Sequence, residues 1–198
     1  MTAASATDLL FVARAGRVRI RRRVVADAID EFRWERDPEI ARHNGLPPAT
    51  RSFTDFLNEF EHELRIVDST RETFAIETHA GEHIGSVSFY HGNHAESAAE
   101  IGMTIGEPSQ QSAGYGREAA IAFLRYLFAE RPFSRIRMHA LEWNERAIRC
   151  FAAIGFAEGG RVLRGTNVMV RMDVSREWWL LWDQEGRFER YLKQPGGS

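Results

Sequence analysis

The chain has 198 residues, of which 43% are hydrophobic and 27% charged, and its formal net charge is -2. This composition excludes a disordered or collagen-like chain, and the length favours one domain with a single hydrophobic core. So small a net charge provides no general attraction to phosphate backbones or anionic lipid, so we expect neither a nucleic-acid partner nor a membrane partner.

The cysteine and histidine residues give evidence on the cellular location and on metal binding. The lone Cys150 cannot form an internal disulfide, no signal-like segment is visible, and no apolar run approaches the ~18 residues that cross a bilayer. We therefore expect a cytoplasmic protein. The seven histidines lack metal-ligand spacing, and His91 and His94 lie in a predicted turn, so we expect no metal site.

The first third of the chain predicts one strand and three helices. Residues 1–16 lack periodicity and are predicted to be a tail, whereas residues 17–21 alternate arginine with apolar residues, as in a strand with one solvated face. Helical patterns cover residues 26–34 and then about 38–43, where Asp37 caps the second helix. A helix over residues 53–67 carries an apolar stripe that we assign to the core: Phe53, Phe56, Leu57, Phe60, Leu64 and Val67.

From residue 73 the apolar residues recur with a period of two. Residues 73–78 and 84–89 predict a β-hairpin, and a third strand covers residues 99–105. A helix over 114–130, a strand over 136–143, a helix from Asn144 to a cap at Gly155, and strands over 156–163 and 168–174 follow. The predicted fold is α/β, of the α+β kind, with a mixed, mostly antiparallel sheet of six to seven strands flanked by helices.

A helix rich in tryptophan is predicted over residues 177–192. Its apolar residues Trp178, Trp179, Leu181 and Trp182 exceed what a free surface helix carries. Two interpretations remain open: the segment forms a homodimer interface, or it packs on its own domain. The predicted organisation is thus a tail over 1–16, one domain over 17–176, and a Trp-rich helix and tail over 177–198.

A glycine-containing turn lies between the third strand of this sheet and the next helix. At such a helix start, several backbone N–H groups lack intrahelical partners and point outward with the positive end of the helix dipole, which suits a pyrophosphate. Glycines let the backbone approach a phosphate closely, although ordinary helix starts also carry them. The candidate residues are Gln111, Ser112, Ala113, Gly114, Tyr115, Gly116 and Arg117, the last adding a positive charge.

Several ordered segments carry a family resemblance. Residues 111–116 match the pattern Q/R-x-x-G-x-G/A, and residues 144–156 resemble N-x-x-A-x-x-x-Y-x-x-x-G-F. Residues 99–102 (Ala-Glu-Ile-Gly) resemble the segment before the turn, with weaker echoes at 33–39 and 172–178. The chain resembles the GCN5-related N-acetyltransferases from about residue 17 to 178, in particular the branch that includes ribosomal-protein and spermidine N-acetyltransferases.

This resemblance implies a fold, a cosubstrate and a reaction. Acetyl-CoA is expected in a cleft where two central strands splay apart, with backbone groups of Met103, Thr104 and Ile105 pairing to the pantetheine arm and Asn144 facing it. Asn144 is by itself also a helix N-cap, and we keep both roles. The implied reaction is direct attack on the thioester by an amine: a protein N-terminus, a polyamine or a small-molecule amine. The alternative is a non-catalytic acyl-CoA sensor with the same fold.

Acetyl transfer to an amine needs a group that accepts the ammonium proton. Glu100 is the best-placed carboxylate, although strand alternation suits a solvated or substrate-orienting residue equally well. Tyr90, His91 and His139 are weaker candidates. The carboxylates of the first helices would suit a cationic amine, and an ordinary exposed helix face looks the same: Glu31, Glu35, Asp37 and Glu39.

Two positions depart from the family pattern. Ser112 and Ala113 stand where many relatives have a glycine and a basic residue, which removes a charge near the phosphates. Phe151 stands in the cofactor segment where the family often has a tyrosine that protonates the leaving thiolate. Phenylalanine has no proton to donate, so another donor or water has to serve.

Overall fold

The computed structural model of the chain describes residues 11–66, 68–90 and 97–192. The strands are β1 (Phe11–Ala15), β2 (Val18–Arg22), β3 (Arg71–Thr78), β4 (His83–Tyr90), β5 (Ala98–Ile105), β6 (Arg135–Leu141), β7 (Ala157–Arg164) and β8 (Asn167–Ser175). The helices are α1 (Ala28–Arg36), α2 (Pro38–His43), α3 (Phe53–Arg65), α4 (Tyr115–Glu130), α5 (Glu145–Ala152) and α6 (Arg176–Gln184).

The strands form one sheet in the order β1-β2-β3-β4-β5-β6-β8-β7. Every neighbouring pair is antiparallel except β5 and β6, so the predicted mixed, mostly antiparallel sheet flanked by helices is confirmed. It has one strand more than predicted. The extra strand is β1, which lies in the predicted tail and pairs with β2 around Gly16, whose φ is 56°. Its sequence lacks clear alternation, so only the pairing with β2 reveals it.

The two central strands separate along their length. β5 and β6 are paired from Ala98 opposite Arg135 to Ile101 opposite Met138, and no further. Beyond that point β5 continues to Ile105 alongside β4, while β6 continues to Leu141 alongside β8. Among the described residues, one edge of β5 is therefore left without a strand partner, as the resemblance implied.

The main core lies between one face of the sheet and helices α4, α5 and α6. Phe123, Leu124 and Leu127 of α4 are fully buried there, as are apolar side chains of β2 to β6. On the opposite sheet face Arg21 binds Asp27, which immediately precedes α1, so α1 covers that face. The predicted stripe of α3 packs into a smaller cluster with Ala28 and Phe32, built from Phe56, Leu57, Phe60 and Leu64; Phe53 is 39% exposed, and Val67 lies outside the described residues.

The C-terminal segment packs on its own domain. Trp179 is completely buried, its indole Nε1 donates to the carbonyl of Ile154 at 3.0 Å, and its ring stacks on Phe188 at 5.1 Å. The helix ends at Gln184, earlier than predicted, because Gly186 turns the chain with a φ of 72°. On the outer side Trp178 and Leu181 remain 56% and 42% exposed.

None of the helices in the described ranges is long and apolar enough to cross a membrane. In the same ranges no three histidine, cysteine, aspartate or glutamate side chains group as metal ligands. The cytoplasmic location stays a prediction.

Candidate active site

A cleft of about 900 Å³ opens where β5 and β6 separate. It brings together the predicted cofactor-binding residues and the candidate proton acceptors, with the exception of Tyr115 and of His91, which lies outside the described residues. Tyr115 instead packs under the guanidinium of Arg17, 4.2 Å from its ring centre. The predicted residues that line the cleft are Tyr90, Glu100, Met103, Thr104, Ile105, Gln111, Ser112, Ala113, Gly114, Gly116, Arg117, His139, Asn144 and Phe151.

The turn before α4 points backbone donors into this cleft. Gly114 is left-handed with a φ of 94°, and Ser112 adopts a φ of 60°, a conformation that non-glycine residues seldom take. Arg117 and Glu118 donate their N–H groups to the Gly114 carbonyl at 3.0 and 3.2 Å. The N–H groups of residues 113–116 make no hydrogen bond to the described protein, as expected for an α-helix N-terminus.

A buried ion pair fixes the back of this turn. The carboxylate of Glu118, whose side chain is 4% exposed, accepts from the Arg17 Nε at 2.9 Å and from the Arg17 backbone N–H at 2.5 Å. The same guanidinium donates to the Ala113 carbonyl at 2.8 Å. The sequence indicated Arg17 only as a solvated strand arginine, because the partner lies 101 residues away.

Backbone directions along the free part of β5 alternate. Gly106 donates its N–H to Ile84 of β4 at 2.9 Å, whereas the Ile105 carbonyl accepts from the side chain of Gln111 at 2.9 Å across the gap. Since backbone groups of successive strand residues point to opposite sides, Met103 and Ile105 face the gap and Thr104 faces β4. The Thr104 backbone thus faces β4, and its side-chain hydroxyl lies 3.3 Å from Asn44 Oδ1. The expected pairing of this backbone with the pantetheine arm gains no support from this direction and stays a prediction.

Two arginines of α5 border the cleft, one of them bound to Gln111 of the turn and the other to Glu145 at 2.6 Å. Arg146 and Arg149 both line the cleft, and Arg146 Nη1 donates to Gln111 Oε1 at 2.8 Å. Arg117 lies over the ring of Tyr191, 4.3 Å from its centre. Both arginines occupy positions at which the motif beginning at Asn144 allows any residue, so the motif did not predict them.

Asn144 and Phe151 form the wall opposite β5. The Asn144 side chain accepts the Ala147 N–H at 3.2 Å, which confirms the N-cap, and it is buried at the cleft border. Phe151 is buried and packs edge-on against Phe156 at 5.1 Å. Burial raises the pKa of the neighbouring Cys150 thiol, so this cysteine is not a thiolate nucleophile.

Glu100 stands at the centre of a side-chain cluster that we call the acceptor cluster: Tyr90, Glu100, His139 and Arg164. The Tyr90 hydroxyl donates to Glu100 Oε1 at 3.0 Å, and Arg164 makes a two-pronged contact to both carboxylate oxygens at 3.0 and 2.8 Å. His139 Nδ1 lies 2.8 Å from Glu100 Oε1 and 3.1 Å from Arg164 Nη2. These four side chains come from β4, β5, β6 and β7.

The cluster shifts the acidities of its members. Burial acts to raise the pKa of Glu100, but the hydrogen bonds from Arg164, His139 and Tyr90 outweigh it and hold the pKa below its usual value. Burial and the Glu100 charge raise the pKa of Tyr90 to about 12. At neutral pH Glu100 is therefore ionised and Tyr90 is a neutral donor.

Sequence reasoning missed Arg164. It lies 64 residues from Glu100, at the end of β7, and only the sheet order β5-β6-β8-β7 brings its long side chain across to the carboxylate. No local motif signals this contact.

The carboxylates of the first helices are already engaged. Only Glu39 among them lines the cleft. Each has a partner: Glu31 with Arg23, Glu35 with Arg51, Glu39 with Arg42, and Asp37 with the N–H groups of Glu39 and Ile40 that it caps. The suggestion that they attract a cationic amine gains no support from this geometry.

The comparisons with known proteins agree with the fold. Residues 17–157 match the family described as Acetyltransferase (GNAT) domain. Spermidine N-acetyltransferase from Vibrio cholerae, solved with CoA and spermine, has a TM-score of 0.73 at 20% identity, over 83% of this chain and 98% of that one. An acetyltransferase of the GNAT family from Bacillus anthracis has a TM-score of 0.70 at 22% identity, over 83% and 98%. No curated protein is significantly similar in sequence.

The solved structures, at such low identity, establish the fold, whereas the family match covers more than half of the chain and includes the turn, β5 and α5. The chain belongs to the GNAT acetyltransferase family, and it is an acetyl-CoA-dependent enzyme that transfers an acetyl group to an amine.

Proposed function

We propose that the pyrophosphate of acetyl-CoA binds to the N–H groups of residues 113–116, and that the pantetheine arm lies along the free edge of β5. The observation that carries this proposal is that both features border one cleft: donors without protein partners among the described residues, and gap-facing backbone groups of Met103 and Ile105. Gly116 lies in the first turn of α4, and Arg117, Arg146 and Arg149 add positive charge at the same end.

We propose that Glu100 accepts the proton of the acceptor amine. It is the carboxylate on β5 itself, directly beside the gap, and Tyr90 and His139 hold it in position. Bound acetyl-CoA supplies the acetyl thioester. Glu100 takes one proton from the ammonium group and releases it to solvent. The neutral nitrogen bonds to the acetyl carbonyl carbon, the carbon–sulfur bond breaks, and the second proton that the nitrogen loses passes to water, which protonates the released thiolate. The products are an amide and a free thiol, with no covalent enzyme intermediate.

The absence of an acid at Phe151 is compatible with this chemistry. An ordinary alkyl thiol has a pKa of about 8.5, so a thiolate leaves without much assistance near neutral pH and takes its proton from solvent.

The proposal is tested in two steps with the full chain. Acetyl-CoA at 100 times its Kd should stabilise the protein by about 2.7 kcal/mol, measured as a thermal shift. A panel of polyamines, amino acids, small-molecule amines and peptides with a free N-terminus is then assayed by release of free thiol. No thermal shift at millimolar acetyl-CoA would contradict the cosubstrate site. A shift without turnover on any class would favour the acyl-CoA sensor, for which Phe151 is the supporting observation.

We infer that a homodimer, if formed through the C-terminal segment, uses the outer side of α6. Trp178 and Leu181 are exposed there, whereas Trp179 belongs to the core, so truncation before α6 would damage the fold and test nothing. The double variant Trp178→Glu, Leu181→Glu should sediment as a monomer where the wild type is a dimer. Leu163→Glu, at an exposed position of β7, is the control. A dimer that survives the double variant excludes this surface.

A further inference from the structure

We propose that the acceptor is an amine that also carries a carboxylate, such as an amino acid, and that Arg164 binds this carboxylate. The inference rests on the proposed function, in that Glu100 marks the acceptor end of the cleft. It selects one chemical class among the amines that the family fold accommodates.

Arg164 has the placement of a ligand-binding side chain. It lines the cleft and its side chain is 49% exposed, whereas the Glu100 and His139 side chains below it are 16% and 8% exposed. Its contacts to Glu100 and His139 use Nη1 and Nη2. A further side-chain hydrogen bond joins the same guanidinium to Tyr90. A guanidinium is a planar fork that matches a carboxylate in a bidentate manner.

The charge balance of the acceptor cluster favours a zwitterionic ligand. Glu100 and Arg164 neutralise each other, Tyr90 is neutral, and Arg137, the residue opposite Glu100 on β6, is paired with Asp173 at 3.0 Å. An incoming ammonium therefore creates an excess positive charge in a partly buried place. A carboxylate on the same molecule removes that excess, because it takes Arg164 as its partner while the amine takes Glu100.

A polyamine has the opposite requirement, since each further ammonium group needs another anion. The cleft is lined by two carboxylates in the described ranges, Glu100 and Glu39, and Glu39 is bound to Arg42 at 2.7 Å. Neither is unpaired. The cleft thus offers a polyamine no free anion for its second charge.

Arg164 also couples acceptor binding to the basicity of Glu100. The hydrogen bond from Arg164 is the strongest influence that lowers the pKa of Glu100. When Arg164 turns to a substrate carboxylate, this influence weakens and the pKa of Glu100 rises toward its ordinary value. An acceptor with a carboxylate therefore activates its own base, whereas an amine without one leaves Glu100 bound to Arg164.

The test compares amino acids with the amines that differ only by the carboxylate. The pairs are lysine and cadaverine, ornithine and putrescine, and tyrosine and tyramine, with spermidine as an added polyamine. In the pair with the highest turnover, we expect kcat/KM to be at least ~10-fold higher for the member with the carboxylate. This factor corresponds to one additional hydrogen bond between charged groups. Arg164→Gln should reduce this preference to within ~3-fold, and Arg164→Lys should give an intermediate value, because it keeps the charge but not the fork.

Arg161→Gln is the matched control, since Arg161 lies on the same strand and pairs with Glu142 and Glu158 outside the cleft. It should keep the wild-type preference. The inference would be overturned if amines without a carboxylate react as well as the corresponding amino acids. It would also be overturned if the preference for the amino acid survives Arg164→Gln.

Calorimetry separates this inference from the proposed function. N-acetyl amino acids and the acetylated amines without a carboxylate are titrated into the wild type, Arg164→Gln and Arg161→Gln, together with acetyl-CoA. Selective binding of the N-acetyl amino acids that Arg164→Gln loses supports the carboxylate site, even where no amine turns over. Lack of acetyl-CoA binding or of any turnover counts against the proposed function alone. Failure of every N-acetyl amino acid to bind an enzyme that turns over amines counts against the carboxylate site alone.

Discussion

The two ends of the cleft are built by different means. The end to which we assign the cofactor, called the cofactor end, is one continuous stretch of backbone, residues 111–117, in which N–H groups and left-handed residues define the surface. The end to which we assign the amine, called the acceptor end, consists of side chains from four strands that meet at the Glu100 carboxylate. A surface of backbone donors is insensitive to most side-chain changes, whereas a cluster of side chains changes its charge with a single substitution.

The two ends also differ in how they are supported. Glu118 behind the turn is almost fully buried and has three contacts from Arg17, so an ion pair between two protein side chains holds the turn. Arg164 at the acceptor end is half-exposed and can move without disturbing the core. The cofactor end is thus preorganised, and the acceptor end can rearrange on binding.

The largest effect is expected from a bulky anion at the cofactor end. Gly116→Glu should raise the Kd for acetyl-CoA at least ~1000-fold, because it removes two or more charged hydrogen bonds and adds repulsion. Gly116→Ala is the matched control, since an added Cβ would lie 3.5 Å from Met103 Cε, an ordinary contact. Calorimetry measures both, with circular dichroism to check folding. Unchanged affinity in a folded Gly116→Glu protein would remove the turn as the pyrophosphate site.

At the acceptor end, Glu100→Gln should lower turnover by ~100-fold and leave the Kd for acetyl-CoA within about twofold, because Glu100 acts on the amine. A large loss of kcat with little change in cofactor affinity would show that Glu100 acts at the acceptor end and not at the cofactor end. Steady-state kinetics and calorimetry on the same preparation measure it. Normal turnover in this variant would mean that a water chain or another side chain is the base.

The pH profile identifies the base further. Because the pKa of Glu100 is held below its usual value, chiefly by Arg164 against the effect of burial, its deprotonated form persists to lower pH than that of an ordinary glutamate. The acidic limb of kcat should therefore lie at low pH, move upward in Arg164→Gln, and vanish in Glu100→Gln. A limb near neutral pH that survives Glu100→Gln and vanishes in His139→Gln would assign the proton to the imidazole.

A smaller effect is expected behind the turn. Arg17→Gln should destabilise the protein by about 2 kcal/mol, because it leaves the Glu118 carboxylate buried without its charge partner. It should weaken acetyl-CoA binding about fivefold, since ordering the turn then costs about 1 kcal/mol on binding. Arg22→Gln, at the far end of β2, where the arginine is exposed and paired with Glu72, should change neither quantity. Equal behaviour of the two variants would show that the turn needs no such support.

Local patterns in the sequence predict the cofactor end well. The residues of the turn are contiguous, and the Asn144 segment carries its own cap and closing glycine, so spacing alone places them at a strand-to-helix turn and a helix start. The unpaired edge of β5 does not follow from any pattern. It depends on where the register with β6 stops, at Ile101 opposite Met138, and that is a property of the whole sheet.

The acceptor end could be predicted only in part. Glu100 and His139 are recognisable as polar strand residues, but their meeting depends on the parallel pairing of β5 with β6, and Arg164 arrives from β7 across two further strands. The strand β1 could not be predicted for the same reason. Its own sequence shows no strand pattern, and it is a strand because it pairs with β2. The register between strands that are distant in sequence cannot be read from local patterns in a single sequence.

The smallest effect is expected at Phe151, which lines the cleft from α5. Phe151→Tyr should raise kcat about two- to fivefold if its hydroxyl enters the cleft, since thiolate departure needs little acid assistance. The ring also packs against Phe156, so a hydroxyl directed into the core would instead lack a partner and cost ~1–3 kcal/mol of stability. Turnover and thermal unfolding measured together separate these outcomes. Unchanged kcat with unchanged stability would mean that the hydroxyl reaches the cleft and that solvent already protonates the thiolate fast enough, so the tyrosine of the family is dispensable in this enzyme.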